Sequence, residues 1–506
     1  MALRAPPVEE VGRVSPPFFA GPHESIRGVS VRSGTDADAF DVMVIGGGIT
    51  GCAVARDAAA RGLSVLLVEK NDLAAGTSGR STKLLHGGLR YLERGHLRLV
   101  REALHEREVT ARLAPALARP LRFVMPLRPG VFPGRFAARV GVAMYDLLAG
   151  DHPLERGRSV SEDEVASLAP GLSAGWSGGV AFSDRQTDDE RLTVAIARDA
   201  RRRGASIRLG CTVTALARTH SGYRAVCRDE DERESFASAR CVVNAAGPWS
   251  DQVRRLAGRS RPILRVSRGA HLVLSGLALN TALLLPGSKR GHRLFAIPWR
   301  GAFLFGTTDI ADSGDPGREL AEIDDLRLLF DEARRLFPGA GLTRRHVLAS
   351  FTGVRPLLRQ DGDTLRSSRE HRILDEDGLV TIAGGKLTTW RTMALAAVDE
   401  VVRRLGRGGA SPAGLLDEPL PGGDDDHPEL DAVLAEEMVR HADDVVFRRL
   451  PLSRDPDEVR RVLPPIVKRM AVRFGWGPER CGAETARVTT RLDAGCRRLD
   501  EALGAG

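Results

Sequence analysis

The residues best placed to do chemistry stand in two glycine-bearing junctions. In the first, apolar residues 42–45 run into Gly46-Gly47-Gly48-Ile49-Thr50-Gly51, a helix-like segment follows to Arg61, and residues 65–68 lead to Glu69. Gly46 permits the tight turn out of the strand, Gly48 lets a pyrophosphate approach the backbone, and Gly51 lets the helix pack closely on the sheet. Phosphates would then sit at the positive end of the helix dipole. Glu69, 18 residues past the last glycine, is spaced to accept hydrogen bonds from a ribose hydroxyl pair. With both strands, the helix and the acid in register, this is a dinucleotide-binding βαβ unit. In the second junction, residues 379–383 end in Gly384-Gly385-Lys386-Leu387-Thr388-Thr389, ahead of a helix with an apolar stripe at Met393, Ala397, Val398 and Val401. Helix donors and a lysine there would face an anionic or carbonyl edge. Beside a flavin, such positive charge would stabilise the reduced ring. Only five of the 74 cationic residues are lysines, so Lys83 and Lys386, both inside motifs, stand out.

Two further stretches suit a chain lying against a long ligand. Residues 76–91 (GTSGRSTKLLHGGLRY) hold too many small and hydroxyl residues for a core element. The buried strand at 241–244 finishes in Ala245-Ala246-Gly247-Pro248-Trp249-Ser250, which brings backbone close to whatever lies over the carboxyl edge of the sheet.

The elements that position these stretches alternate between α/β and β patterns. Helical spacing is expected over 97–113, from Thr187 to Gly204, and over 324–337; strands are expected over 206–216 and 223–228. From Pro262 to Asp309 the period changes to alternating strands, including 264–274 with His271 and a hairpin of 293–298 and 303–306 around Arg300-Gly301. Residues 119–150 interleave arginines with Phe, Val, Met and Leu. They read either as a helix-loop-helix packed on the core or as a segment lying on an anionic bilayer. A Pro/Gly/Asp-rich linker near 411–428 precedes a tail with helices at about 429–449, 456–474 and 484–503.

A chain of 506 residues is long enough for two or three domains. No run approaches the roughly 18 apolar residues of a membrane span, and no signal peptide opens the chain, so a cytoplasmic location is expected. The six cysteines lack CxxC or metal-ligand spacing and read as reduced. No metal site is expected; the run Asp424-Asp425-Asp426 reads as solvated spacer. The net charge of +8 is spread along the chain, which argues against nucleic acid.

Taken together, the motifs GGGITG, STKLLHGGLRYLE, DRQTDDERL, NAAGPWS, IPW followed by FGTTD, FTGVRP and AGGKLTTWR resemble those of the FAD-dependent, quinone-linked glycerol-3-phosphate dehydrogenases. The similarity spans residues 40–405 and reappears at 436–450. It implies an α/β fold: a split Rossmann-like FAD-binding domain of the glutathione-reductase type, an inserted antiparallel β substrate domain and a helical C-terminal cap. The expected division is a disordered arm (1–38), FAD-binding segments at 39–118, 181–261 and 346–410, a connecting or membrane-facing segment at 119–180, the substrate sheet at 262–345, the linker at 411–428 and a shortened helical domain at 429–506.

By the same resemblance, Gly46, Gly48 and Gly51 hold the FAD pyrophosphate and Glu69 the adenosine ribose. Ser81, Lys83, His86 and Gly87 lie along the flavin, Ala246 and Gly247 approach the adenosine half, and Gly385, Lys386, Leu387 and Thr388 meet the isoalloxazine edge. Arg90, Arg355 and Lys386 grip the substrate phosphate, a group whose charge and three acceptors need forked arginines and a point-charge lysine. The implied reaction is oxidation of sn-glycerol 3-phosphate to dihydroxyacetone phosphate by hydride transfer to FAD, with electrons passed to a quinone. His271 is the first candidate for the base and His86 the second, because imidazole titrates near working pH; Arg355 can also stabilise a developing alkoxide. Peripheral attachment to the inner face of the cell membrane and a homodimer are implied partners. The alternatives are an oxidase that uses O2, a related flavoenzyme acting on amines or hydroxy acids, and an inactive binding module. The segment between Gly423 and Glu436 is shorter than the family's cap, and the first 38 residues are extra.

Overall fold

The computed structural model describes residues 39–93, 95–130, 133–151, 154–277, 279–289, 291–312, 314–359, 371–407 and 417–504, with the Arg90 side chain left out. The arm at 1–38 and the first part of the linker, 411–416, lie outside the described residues.

Two sheets carry the chain. The first has eight strands and grows from the parallel pair Phe40–Ile45 and Val65–Glu69, joined by the helix Ile49–Ala60. Glu234–Asn244 and Leu379–Gly384 extend it in parallel on one side and Ser206–Leu209 on the other. Val42, Met43, Val44, Leu66 and Leu67 are wholly buried, as expected of strands covered on both faces. All three central strands end at one edge, and the two glycine junctions and the Ala245–Trp249 turn emerge there side by side. The strand expected over 206–216 is in fact two. Gly210, with a left-handed φ of +61°, breaks it, and Cys211–Arg218 leaves to pair antiparallel with Tyr223–Asp229.

The second sheet has ten strands and is mostly antiparallel. It is not confined to 262–345. Val347–Leu358, expected in the third FAD segment, pairs along almost the whole of Leu264–Leu274, and Gly179–Thr187 pairs with Ala118–Pro126. Residues 119–150 are therefore not a helix-loop-helix. Their first part is a strand whose Leu121, Phe123 and Met125 are buried while Arg119 is exposed, and only Arg135–Ala149 is helical. The hairpin turns at Arg300 and Gly301, both with positive φ, as a two-residue hairpin requires.

The tail forms its own core from the helices Leu430–Glu436, Pro456–Phe474 and Pro478–Leu503, centred on Val459, Leu463, Met470 and Val488. Short as it is, it is fixed to the rest by buried ion pairs: Arg191 with Glu437, Arg449 with Asp72, and Arg454 with Glu190.

Candidate active site

A cleft of about 510 Å³ opens along the carboxyl edge of the first sheet and reaches under the second. That volume is in the range of cofactor sites. One end is built by the first glycine turn. Gly46 has a φ of +116°, and a Cβ on Gly51 would stand 1.9 Å from the Gly46 carbonyl oxygen, so helix and turn meet at a distance only glycine allows. Ser78 Oγ accepts from the Ile49 amide at 2.9 Å, closing the helix start on its outer side. Glu69 Oε2 accepts from the Gly47 amide at 2.6 Å and Oε1 from the Asn71 amide at 2.8 Å. Burial raises the Glu69 pKa, and those two amides counter it. Ala246 and Gly247 face this end, together with Trp249, whose ring lies 3.9 Å from the Lys70 ammonium.

The other end lies between the sheets. Gly384 and Gly385 both have left-handed φ, and Lys386 follows with its ammonium 3.9 Å from the centre of the Tyr91 ring. The Thr388 hydroxyl accepts from the His86 amide at 3.2 Å, tying the second junction to the His86-Gly87-Gly88 turn. Gly87 in turn donates to the Tyr145 hydroxyl at 2.8 Å, and Tyr145 donates to Asp184 at 2.9 Å. Burial pushes the Asp184 carboxyl up to about 6, even with Arg107 and Tyr145 bonded to it.

His271 stacks on Phe351 at 4.9 Å and meets Thr82 Oγ1 through Nε2 at 3.0 Å. Its Nδ1 is buried without a hydrogen-bond partner among the described residues. Burial, and after it the charges of Arg355, Lys83 and Arg454, push the imidazole down to about 3. The expectation that it titrates near working pH therefore does not hold in the free protein: burial among three cations, with no carboxylate behind Nδ1, keeps the ring neutral. Arg355 is aimed by Thr307 Oγ1 at 2.9 Å and by the Thr308 carbonyl at 3.2 Å.

Gly46, Gly48, Glu69, Ser81, His86, Ala246 and Gly247 thus line one cleft with His271, Arg355, Gly385, Lys386, Leu387 and Thr388. Gly51 and Gly87 act from behind it. Lys83 does not lie along the cleft as expected. Its positive φ of +59° turns the side chain into the protein, where it is wholly buried against Asp189, Glu190 at 2.6 Å and the Gly79 carbonyl at 2.9 Å. A buried ammonium needs such partners. Asp189 also accepts from Ser81 Oγ at 2.5 Å, so Lys83 shapes the site through Ser81. The Arg90 side chain is outside the described residues. Asp188, Asp189 and Glu190 converge closely, and each is paired with a cation: Arg300, Lys83 and Arg454 respectively.

Sequence reasoning missed Thr82, Tyr91, Tyr145 and Ser78. Ser78, Thr82 and Tyr91 stand inside the 76–91 stretch already singled out, so adjacency could have found them. Thr82 and His271 are 189 positions apart, and nothing in the sequence couples them.

The arrangement is a dinucleotide cradle continuous with a cationic pocket. Residues 41–397 match the family described as FAD dependent oxidoreductase. The chain belongs to that family. Its similarity extends to the aerobic glycerol-3-phosphate dehydrogenase of Staphylococcus saprophyticus, 37% identical over 380 residues that cover 72% of this chain and 67% of the relative. The glycerol-3-phosphate dehydrogenase of Synechocystis sp. is 37% identical over 407 residues, covering 76% and 73%. The crystal structure of the glycerol-3-phosphate dehydrogenase from Bacillus halodurans complexed with FAD superposes with a TM-score of 0.72 at 26% identity, over 90% of this chain and 95% of that one. The chain is thus an FAD-dependent oxidoreductase on the glycerol-3-phosphate dehydrogenase branch, and the cradle is fitted to its cofactor: a Cβ at Gly46 would meet the Ala245 carbonyl at 2.7 Å, so turn and neighbouring strand leave room only on the cleft side.

Proposed function

We propose that this oxidoreductase converts sn-glycerol 3-phosphate to dihydroxyacetone phosphate and passes the electrons to a membrane quinone. The observation that carries the reading is that Arg355, Lys386 and His271 line the same cleft as the FAD cradle. A phosphomonoester is a dianion with three acceptors, and a forked guanidinium with a point-charge ammonium matches it. Bound FAD supplies the hydride acceptor for C2 of the substrate.

The chain's own residues do the rest. Arg355, held by Thr307 and Thr308, and Lys386, seated on Tyr91, orient the phosphate. His271 Nε2 takes the proton from the C2 hydroxyl. Burial is the larger cause of the ring's low pKa; the arriving phosphate offsets the smaller part that comes from the charges of Arg355, Lys83 and Arg454. His86 remains the second candidate, since it lines the cleft beside the Thr388 hydroxyl.

Support for a membrane acceptor comes from the helix Arg135–Ala149. Its inner face buries Ala138, Val142 and Tyr145, while Phe136 is 83% and Leu147 80% exposed, with Val140 and Met144 between them on the same outer face. Arg135 and Arg139 flank this face and are themselves exposed. Apolar side chains in line, bordered by arginines, suit a helix lying in the interface of an anionic bilayer. Contact by this face would give access to a lipid-soluble quinone; among the described residues no helix is long and apolar enough to cross a membrane.

Steady-state kinetics of Arg355→Lys tests the site: the KM for glycerol 3-phosphate rises at least about tenfold, because the lysine cannot reproduce the fork. An unchanged KM would remove Arg355 from phosphate recognition. Peroxide yield against ubiquinone or menaquinone reduction, measured on the same preparation, decides the acceptor; stoichiometric peroxide with no quinone reduction would favour an oxidase.

A further inference from the structure

Among the described residues, the C-terminal helical tail contributes none to the cleft wall. Two adjacent arginines on its π-helical turn Val445–Arg449 nonetheless reach into the nucleotide-binding half of the protein and converge on one carboxylate, Asp72. Arg449 binds it with both ends of its fork, Nη1 to Oδ2 at 2.8 Å and Nη2 to Oδ1 at 2.7 Å, and Arg448 Nε reaches Oδ2 at 2.5 Å. Arg448 is itself held by Asp444 at 2.5 Å, and Arg449 donates to the Glu437 carbonyl at 3.1 Å. Asp72 is 5% exposed and both arginines are buried, so this contact is shielded from solvent and salt.

What Asp72 belongs to gives the contact its meaning. It stands three residues after Glu69, in the loop that runs from the ribose-binding acid to Arg80. One side of this loop lines the cleft through Lys70, Asn71, Ala75, Gly76, Thr77 and Ser78. The other side, Asp72 to Ala74, is buried against the tail and the glycine turn. The loop also closes on that turn: the Ala74 amide donates to the Gly47 carbonyl at 3.1 Å, and Ser78 Oγ receives the Ile49 amide. Ala74 takes a left-handed φ of +59°, a conformation a non-glycine residue holds only when its surroundings enforce it. Asp72, held by its two arginines, ties this loop to the tail.

We propose that the tail is part of the FAD site: Arg448 and Arg449, through Asp72, are positioning residues that hold the loop 70–80 in the shape that grips the adenosine and pyrophosphate. The turn Val445–Arg449 makes this clamp, and the tail helices have a small core of their own. The inference needs only FAD as the cofactor and is independent of which alcohol is oxidised.

The test is FAD titration of the apoprotein, followed by flavin fluorescence, for wild type, Asp72→Asn and Arg448→Lys/Arg449→Lys. The lysine variant keeps the charge and loses the bidentate fork. Both variants should bind FAD about tenfold or more weakly, as loss of groups that orient a binding shell commonly does. FAD should then raise their melting temperature less than it raises that of wild type. Arg469→Met, which removes a surface pair with Asp431 on the same tail, should leave the FAD affinity unchanged. If apoprotein and holoprotein melting points fall in parallel while the FAD Kd stays at the wild-type value, the pair is a structural tie only and the proposal is overturned. Should the double variant fail to fold, the single Arg449→Lys change is read by the same titration with the same two outcomes.

Discussion

Replacing Lys83 with methionine keeps the length and most of the volume of the side chain and removes only its charge. The ammonium is wholly buried and contacts Asp189, Glu190 at 2.6 Å and the Gly79 carbonyl at 2.9 Å. Without it, Asp189 keeps the hydroxyl and amide of Ser81 and a carboxyl contact with Glu190, and Glu190 keeps Arg454. Breaking one partner out of a buried ion pair costs about 3–5 kcal/mol, because the remaining charge is left uncompensated. Arg454 still neutralises Glu190, so the expected loss lies at the lower end, about 3 kcal/mol. Urea unfolding of the holoprotein measures it as a shift in midpoint at constant slope. Lys83→Met/Asp189→Asn removes the orphaned charge as well and should recover more than half of the loss. A single variant within about 1 kcal/mol of wild type would refute the buried-pair reasoning. Loss of FAD without loss of stability would place Lys83 on the flavin after all.

Gly51→Ala sets a Cβ 1.9 Å from the Gly46 carbonyl oxygen, so the helix must move off the turn; the purified variant should be nearly colourless, and a normal flavin-to-protein absorbance ratio would contradict the packing argument. Phe136→Glu/Leu147→Glu replaces two exposed apolar residues, each worth about 1.5–3 kcal/mol when buried, and should abolish co-sedimentation with vesicles rich in anionic lipid while leaving glycerol 3-phosphate oxidation with a soluble dye intact. His271 is held at about 3 in the folded protein against an ordinary value of 6.5, so as pH falls the unfolded chain takes up the proton first. Its contribution to stability is complete above pH 6.5 and is lost progressively towards pH 3; His271→Asn should flatten the dependence of stability on pH in that window, and an unchanged slope would show the ring is not held neutral.

Much of this was legible because local patterns and cofactor chemistry coincide. Residues 40–69 declare a strand, a glycine turn, a helix and an acid in order, and each part must be there for the phosphate site to exist. The second junction at 384–388 follows the same logic, and Lys386 stands out because lysine is scarce. Illegible were the facts set by partners far apart in the chain. Lys83 sits in a motif that lines the cleft, yet its own φ and two acids more than a hundred positions away turn it inward. The same holds for His271, whose pKa is lowered by burial and then by Arg355, Lys83 and Arg454 rather than by its neighbours in sequence. Residues 119–150 carry arginines that look like one surface; the strand Ala118–Pro126 takes the first part of that segment into a sheet, and only Arg135–Ala149 keeps an apolar face outside. Asp72 gave no signal at all, since its importance depends on where the tail docks.

The central claim is that a cation-lined pocket beside FAD selects a phosphorylated alcohol for oxidation. Anaerobic stopped-flow mixing of the yellow holoprotein with glycerol 3-phosphate, and separately with glycerol, tests it most directly. The flavin absorbance near 450 nm should bleach with glycerol 3-phosphate, forming one dihydroxyacetone phosphate per flavin, and should stay unchanged with glycerol at the same concentration. Equal bleaching by both alcohols, or by neither, would contradict the account.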